Sequence, residues 1–135
     1  MNSMSEQWWE KKLNIRTAGK TDHFIEEACN PYEPTDYCIL EALTDSGYIS
    51  SESHVLDYGC GKGRTAIFLS FRTGCRATGV EYDQELYEDA VKNLEQSKLP
   101  ASRAVAAVTL LVLRGFAVEL PGNRFQLSDQ PGPQS

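Results

Sequence analysis

The chain has 135 residues, of which 41% are hydrophobic and 24% charged, as expected for one ordinary globular domain or for part of a larger one. Its formal net charge of −6 argues against general binding to nucleic acid or to anionic membranes. The longest apolar run, from Ala104 to Leu113, is too short to span a bilayer.

The N-terminal part of the chain is predicted to pack onto a domain that follows it. The first twenty residues form a short helix or an arm, in which Trp8 and Trp9 pack against the domain rather than stack on a ligand. Two prolines make residues 30–35 a loop. Asp36 or Thr35 caps the helix that comes next.

The middle of the chain has the order strand, helix, strand, helix. Apolar periodicity and glycine breaks predict strands over His54–Asp57 and Arg76–Val80 and helices over Gly63–Phe71 and Asp83–Ser97. A right-handed crossover then joins two parallel strands, as in Rossmann-like α/β proteins. Because so small a sheet leaves faces and edges uncovered, we expect either a homo-oligomer or a marginally stable fold.

A glycine-rich loop joins the first strand to its helix. It reads Asp57-Tyr58-Gly59-Cys60-Gly61-Lys62-Gly63, and residues without a Cβ let a ligand approach the backbone closely. The N–H groups at the start of the following helix can bind polar or anionic atoms. The loop therefore predicts a nucleotide-like cofactor site. Lys62 and Arg64 are predicted to be solvated, because the G-K-[ST] ending of a phosphate-binding loop is absent.

Glu81 provides a second feature of the same site. It ends the second strand, and the carboxyl ends of parallel strands meet at one edge of the sheet. A carboxylate in that position can accept two hydrogen bonds from a ribose diol. A nicotinamide dinucleotide is disfavoured, because its fingerprint needs glycine where this chain has Arg64.

These residues resemble the class I S-adenosylmethionine-dependent methyltransferases over about residues 5–98. The stretch V-L-D-x-G-x-G-x-G is similar to that family's first motif, and Gly79-Val80-Glu81-Tyr82-Asp83 to its acidic second-strand motif. The resemblance implies S-adenosylmethionine as the cofactor. It also implies which residues bind the methionine and ribose parts, namely Asp57, Gly59, Gly61 and Gly63, with Glu81 on the ribose hydroxyls.

Further cofactor contacts are implied around this loop. Tyr82 would flank the adenine, and the segment Tyr32-x-Pro34-Thr35 would lie over the cofactor. Cys60 belongs to the cofactor-binding loop itself. Because no histidine base lies near it in sequence, it is predicted to be a small buried residue rather than a nucleophile.

The C-terminal part has a different pattern. Helical spacing predicts a helix over Ala104–Leu113, and Pro121-Gly122-Asn123 predicts a hairpin turn between strands Phe116–Leu120 and Arg124–Leu127. The pattern L-P-A-S-R-x-x-A-A-x-T-L-L-x-L-R-G-F-x-x-x-L-P-G-x-R-F, within residues 99–128, resembles the C-terminal winged-helix module of the DNA-processing protein A (Smf) family. This resemblance implies contact with DNA. Residues 129–135 are predicted to be a disordered tail.

Two resemblances that meet near Leu99 predict a domain boundary there. The third strand and the substrate-side motif of a complete methyltransferase are not recognisable after residue 98, so we expect a truncated or fused reading frame. The fold class predicted is α/β, a partial Rossmann-like methyltransferase domain with a C-terminal helix and β-hairpin.

Three functional classes remain open from the sequence. They are an S-adenosylmethionine-dependent methyltransferase of unspecified acceptor, a non-catalytic remnant that binds the same cofactor, and a DNA-associated protein acting through its C-terminal part. The four cysteines form no C-x-x-C pair and the N-terminus has no apolar signal-peptide core, which favours a cytoplasmic protein with reduced thiols. With two histidines in the chain, we expect no metal site.

Overall fold

The computed structural model describes residues 4–19, 32–99, 108–114 and 117–119. The chain order of its elements is α1 (Glu6–Leu13), α2 (Tyr37–Asp45), β1 (His54–Tyr58), α3 (Arg64–Thr73), β2 (Arg76–Glu81), α4 (Gln84–Gln96), β3 (Val108–Arg114) and β4 (Ala117–Glu119). The strand-helix-strand-helix pattern predicted for the middle of the chain is confirmed, with element ends within two residues of those predicted.

The described strands form one sheet in the order β1-β2-β3-β4. β1 and β2 are parallel, with Asp57 opposite Gly79, and β2 and β3 are parallel, with Gly79 opposite Leu110. β4 runs antiparallel to β3. The predicted α/β class with a parallel, Rossmann-like sheet is therefore confirmed, and the carboxyl ends of β1 and β2 lie side by side.

The helices of the two crossovers cover one face of this sheet. α3 packs on β1 and β2, α4 packs on β2 and β3, and α2 packs on α3. Side chains of β1 alternate between the faces: Val55 and Asp57 are half-buried, whereas Leu56 and Tyr58 are 63% and 71% exposed. The glycine loop thus follows a strand whose inward positions face α3.

An aromatic cluster between α1, α2 and α3 forms the centre of the core. The Phe68 ring lies edge-on to Trp9, with ring centroids 4.7 Å apart, and Tyr37 stacks on Trp9 at 6.0 Å and lies 5.6 Å from Phe68. Ser5 caps α1 through a hydrogen bond from the Trp8 amide. The prediction that the tryptophans pack onto the domain is confirmed for Trp9, which is 3% exposed, while Trp8 is partly exposed.

The prediction of a helix over Ala104–Leu113 is wrong for the part of this range that the structure describes. Val108–Arg114 is a strand that pairs with β2 on one side and with β4 on the other. Strands of parallel sheets are commonly near-continuous apolar runs, and a short run of this kind cannot be distinguished from a buried helix by periodicity alone. This segment supplies the third parallel strand that the sequence did not reveal.

The predicted hairpin is only partly within the described residues. Ala117–Glu119 is a strand, as predicted, and it pairs with β3. The turn at Pro121-Gly122-Asn123, the strand Arg124–Leu127 and the tail 129–135 lie outside the described residues. Among the helices that are described, none has the length and apolar character needed to cross a membrane.

Truncating the centre of the aromatic cluster tests this packing. Phe68→Ala removes a fully buried ring that contacts Trp9 and Tyr37, so we expect it to lower the free energy of unfolding by about 3–5 kcal/mol. Urea denaturation followed by circular dichroism measures the change. Tyr48→Ala, at a ring 87% exposed, is the control and should change the unfolding free energy by less than about 0.5 kcal/mol. Equal effects of the two changes would contradict this description of the core.

Candidate cofactor site at the carboxyl end of the sheet

The glycine loop has a backbone that only glycine adopts readily. Gly59, Gly61 and Gly63 have φ angles of 84°, 55° and 90°, all in the left-handed region. Gly63 is also the N-cap of α3, which begins at the next residue. The alternate glycines therefore turn the chain sharply from β1 into the helix.

Hydrogen bonds to the end of β2 hold this loop. The amides of Gly59 and Cys60 both donate to the Val80 carbonyl, at 2.7 and 2.9 Å. The Gly61 amide donates to Glu81 Oε1 at 2.7 Å, and the Asp83 amide donates to Glu81 Oε2 at 2.8 Å. The Glu81 carboxylate, 8% exposed as a residue, thus joins the glycine loop to the N-cap of α4. The structure brings Glu81 and Gly61 together, as the sequence predicted.

Two carboxylates lie near each other at this edge. Burial raises the pKa of Asp57 above its ordinary value, and the negative charge of Glu81 raises it further. Burial and the same two carboxylates raise the pKa of the Cys60 thiol to about 12. The thiol is therefore protonated at neutral pH, which agrees with its predicted role as a small buried residue of the loop.

Tyr32 lies directly on the glycine loop. Its ring is so close to Gly61 that a Cβ built on this glycine would clash with ring atoms Cε1 and Cδ1. The Tyr32 hydroxyl donates to the Thr17 carbonyl at 2.6 Å, and the Lys62 ammonium lies 5.1 Å from the ring centroid. Burial raises the pKa of this phenol above its ordinary range. The structure thus places Tyr32 over the loop.

The remaining two predicted site residues lie at its margins. Thr35 is exposed, and its carbonyl accepts a hydrogen bond from Arg64 at 3.0 Å. Tyr82 is partly exposed and follows Glu81 in sequence. Thr35 thus contacts the residue that follows the loop, and Tyr82 comes directly after the end of β2.

The prediction that Arg64 is solvated is wrong. Arg64 is 2% exposed, and its guanidinium hydrogen-bonds Thr17, Thr35 and Glu6. A charged residue in the first turn of a helix is ordinarily solvated. Arg64 is instead buried by its hydrogen-bonding partners from the N-terminal part of the chain. Lys62 is half-buried over the Tyr32 ring.

Asn93 was missed by the sequence reasoning. This buried side chain of α4 donates to the carbonyls of Lys62, at 2.9 Å, and Arg16, at 3.1 Å, and accepts from the Arg16 amide at 2.9 Å. It therefore ties the glycine loop and the segment after α1 to α4. A signal was present, because Asn93 follows Leu86 and Ala90 on the inward stripe of the helix, where an uncharged polar residue needs buried partners.

Within the described ranges, no group of three or more histidine, cysteine, aspartate or glutamate residues is arranged to hold a metal ion. The chemistry that the geometry offers is close approach to the glycine backbone and binding by the two carboxylates and by an aromatic ring. These groups suit a neutral or cationic ligand with hydroxyl groups.

Comparison with known proteins identifies the family to which this chain belongs. A family model described as a methyltransferase domain matches residues 55–127, from β1 through the segment after β4. The chain therefore belongs to the methyltransferase-domain family, which confirms the resemblance drawn from the glycine loop and Glu81. The match continues through residues 99–127, and the resemblance of this part to the Smf winged-helix module is not shown.

Two curated relatives are also methyltransferases. The ribosomal protein L11 methyltransferase of Methylobacillus flagellatus is 30% identical over 94 residues, which are 70% of this chain and 28% of that protein. The H3 lysine-79-specific histone-lysine N-methyltransferase of Dictyostelium discoideum is 28% identical over 86 residues, 64% of this chain and 5% of that protein. The chain thus spans less than a third of either relative.

A solved structure agrees in fold. The X-ray structure of YjhP from E. coli superimposes with a TM-score of 0.50 at 16% identity, covering 65% of this chain and 33% of that one. At this identity the likeness concerns the fold alone.

Two glycine substitutions separate backbone strain from crowding in the loop. Gly59 and Gly61 are both left-handed, so alanine at either should cost about 1–2 kcal/mol of stability. A Cβ at position 59 meets open space, whereas one at position 61 meets the Tyr32 ring. We expect Gly61→Ala to be more destabilising than Gly59→Ala by at least about 1 kcal/mol.

Thermal or urea unfolding measures both variants. The extra cost of Gly61→Ala should shrink in a Tyr32→Ala background, because the ring that the new methyl group meets is gone. Equal costs for the two alanine variants, or the same extra cost without the ring, would show that Tyr32 does not lie on this loop.

The raised pKa of Asp57 has a consequence for stability. The folded protein holds the Asp57 proton more tightly than the unfolded chain, so ionisation of this group lowers stability as the pH rises above the ordinary aspartate pKa. Asp57→Asn should therefore raise the melting temperature of the ligand-free protein at about pH 7. This gain should disappear near about pH 3, where the carboxyl is protonated in both states. A gain that is the same at both pH values would contradict the burial of this charge.

Proposed function

We propose that this chain is an S-adenosylmethionine-dependent methyltransferase, and that its described residues form the cofactor-binding half of the catalytic domain. The observation that carries the proposal is the Glu81 carboxylate, fixed beside the glycine loop in a chain of the methyltransferase-domain family. When bound, S-adenosylmethionine would supply an electrophilic methyl group on a sulfonium.

The fixed carboxylate has acceptor capacity left for a sugar. A carboxylate offers about four lone-pair sites, and the amides of Gly61 and Asp83 use one on each oxygen. The remaining sites suit the two hydroxyl donors of a ribose. Because the two amides orient the carboxylate beforehand, little of its rotamer freedom is left to lose on binding.

The loop backbone supports a ligand at the same edge. A Cβ at Gly59 would meet nothing within 4 Å, so open space lies against the loop where any other residue would project a side chain. The φ angle of 84° explains why glycine occupies the position. A cofactor can therefore approach the main chain here.

The charges of the site favour a cation. Asp57 and Glu81 lie close enough for one to raise the pKa of the other. A sulfonium or ammonium group nearby would relieve their repulsion and favour the ionised form of Asp57. The uncharged sulfur of S-adenosylhomocysteine lacks this attraction. The site should therefore bind the product more weakly than the cofactor.

The chain's own residues have binding and orienting roles in this proposal. Glu81 holds the sugar, the loop glycines admit the cofactor, and Tyr32 covers the loop at Gly61. Methyl transfer needs mainly this kind of positioning, because the acceptor attacks the methyl carbon directly and the carbon–sulfur bond breaks to leave S-adenosylhomocysteine, whose sulfur is uncharged. The DNA-associated alternative is not carried further, since Val108–Arg114 is a strand of the sheet rather than the helix on which that alternative rested.

Glu81→Gln tests the proposed site. The glutamine side chain has no charge, and its NH₂ group faces one of the two backbone N–H groups that donate to Glu81. The hydrogen bonds to the loop and to the ribose are therefore both weakened. We expect S-adenosylmethionine affinity, measured by isothermal titration calorimetry, to fall at least about tenfold, equivalent to about 1.4 kcal/mol.

Glu85→Gln is the matched control, because Glu85 is an exposed acid four residues further on, in the first turn of α4. It should bind the cofactor as the wild-type protein does. Absence of S-adenosylmethionine binding by the folded wild-type protein, or unchanged affinity in Glu81→Gln, would overturn the proposal.

A further inference from the structure

Arg64 is a buried cation placed directly behind the glycine loop. It is the first residue of α3, next to Gly63, and it is 2% exposed. Its guanidinium carbon lies 4.3 Å from the centroid of the Tyr37 ring. A buried charge in such a position is stable only when its donors are paired.

The partners of Arg64 come from three separate parts of the N-terminal region. Nη2 donates to Glu6 Oε2 of α1 at 2.7 Å, and Nε donates to Thr17 Oγ1 at 2.6 Å. Nη1 donates to the carbonyl of Thr35 at 3.0 Å. The planar guanidinium of one side chain thus joins α1, the segment after α1 and the segment before α2. A lysine has a single nitrogen and could not make the same three contacts.

Thr17 connects Arg64 to the glycine loop through Tyr32. The Thr17 hydroxyl accepts from Arg64, and the Thr17 carbonyl accepts from the Tyr32 hydroxyl at 2.6 Å. The Tyr32 ring in turn lies on Gly61. Thr17 is fully buried, so solvent does not compete for these bonds.

The same region has other attachments that do not depend on Arg64. The Glu10 carboxylate of α1 accepts hydrogen bonds from the amide and the hydroxyl of Thr17. Asn93 pairs with the backbone of Arg16, and the Lys98 amide donates to the Leu13 carbonyl at 2.9 Å. These bonds hold the start of the segment on α4. Weakening the Arg64 contacts should therefore affect Tyr32 and Thr35 more than the attachment of the whole N-terminal region.

We propose that Arg64 is a positioning residue for the cofactor. Through Thr17 and Thr35 it fixes the Tyr32 ring over the glycine loop, so that the ring is already in position when the cofactor binds. The proposal rests on the function proposed above, since it assigns to Arg64 the placement of a residue at that same site.

A binding cycle tests whether Arg64 acts through Tyr32. Arg64→Lys keeps the charge and loses the fork, and it should lower S-adenosylmethionine affinity about tenfold in isothermal titration. Tyr32→Ala should lower it to a similar degree. The double variant should bind no more weakly than Tyr32→Ala alone, because Arg64 then has no ring left to position.

Two further variants separate positioning from general stability. Arg72→Met removes another arginine of α3, partly exposed and 3.4 Å from Asp45, and it should leave cofactor affinity unchanged. Glu6→Gln removes the charge of an exposed partner of Arg64 and should weaken binding about twofold without loss of folding. Glu6→Gln also decides the matter if Arg64→Lys does not fold.

The outcomes distinguish this proposal from the function on which it rests. Wild-type binding that is lost in Glu81→Gln but unchanged in both Arg64→Lys and Glu6→Gln would overturn the positioning role alone. Losses from Arg64→Lys and Tyr32→Ala that simply add would also overturn it, since the two residues would then act separately. A folded wild-type protein that does not bind S-adenosylmethionine would overturn both proposals.

Discussion

The candidate site depends on the hydrogen bonds that one buried carboxylate makes to two backbone amides. Glu81 accepts from Gly61 on one oxygen and from Asp83 on the other, so the glycine loop and the start of α4 have a common anchor. A loop of alternate glycines has much conformational freedom to lose on folding, and charge-assisted bonds are about twice as strong as neutral ones. The sheet makes this anchor available, because parallel pairing of β1 with β2 brings the loop beside the end of β2.

The N-terminal region is part of the site rather than an appendage. Arg64 and Asn93 lie on different helices, and each bonds to residues near the chain start. Asn93 also bonds the Lys62 carbonyl of the glycine loop. The guanidinium of Arg64 is buried and therefore depends on paired donors, whereas the carboxylate of Glu6 is half exposed. The aromatic cluster around Trp9 and the polar bonds around Thr17 therefore stabilise the same arrangement, in which Tyr32 meets Gly61.

The middle of the fold was predictable from sequence because its signals are local. Glycine breaks bounded the strand that begins at His54, and Asp83, where the second helix was predicted to begin, is the N-cap of α4. The burial of Arg64 was not predictable, since Glu6 and Thr17 are 58 and 47 residues away in sequence. The strand Val108–Arg114 was missed for a different reason: its sequence is a nearly continuous apolar run, and periodicity alone does not separate such a run from a helix.

The central claim is that S-adenosylmethionine binds where the glycine loop meets Glu81. Titration of the ¹⁵N-labelled protein with this cofactor, followed through its amide resonances, tests the claim most directly. We expect saturable shifts of the amides of Gly59, Gly61 and Asp83, with the amide of the exposed Tyr48 unchanged. Saturable binding that leaves the loop amides in place and shifts resonances elsewhere would contradict it.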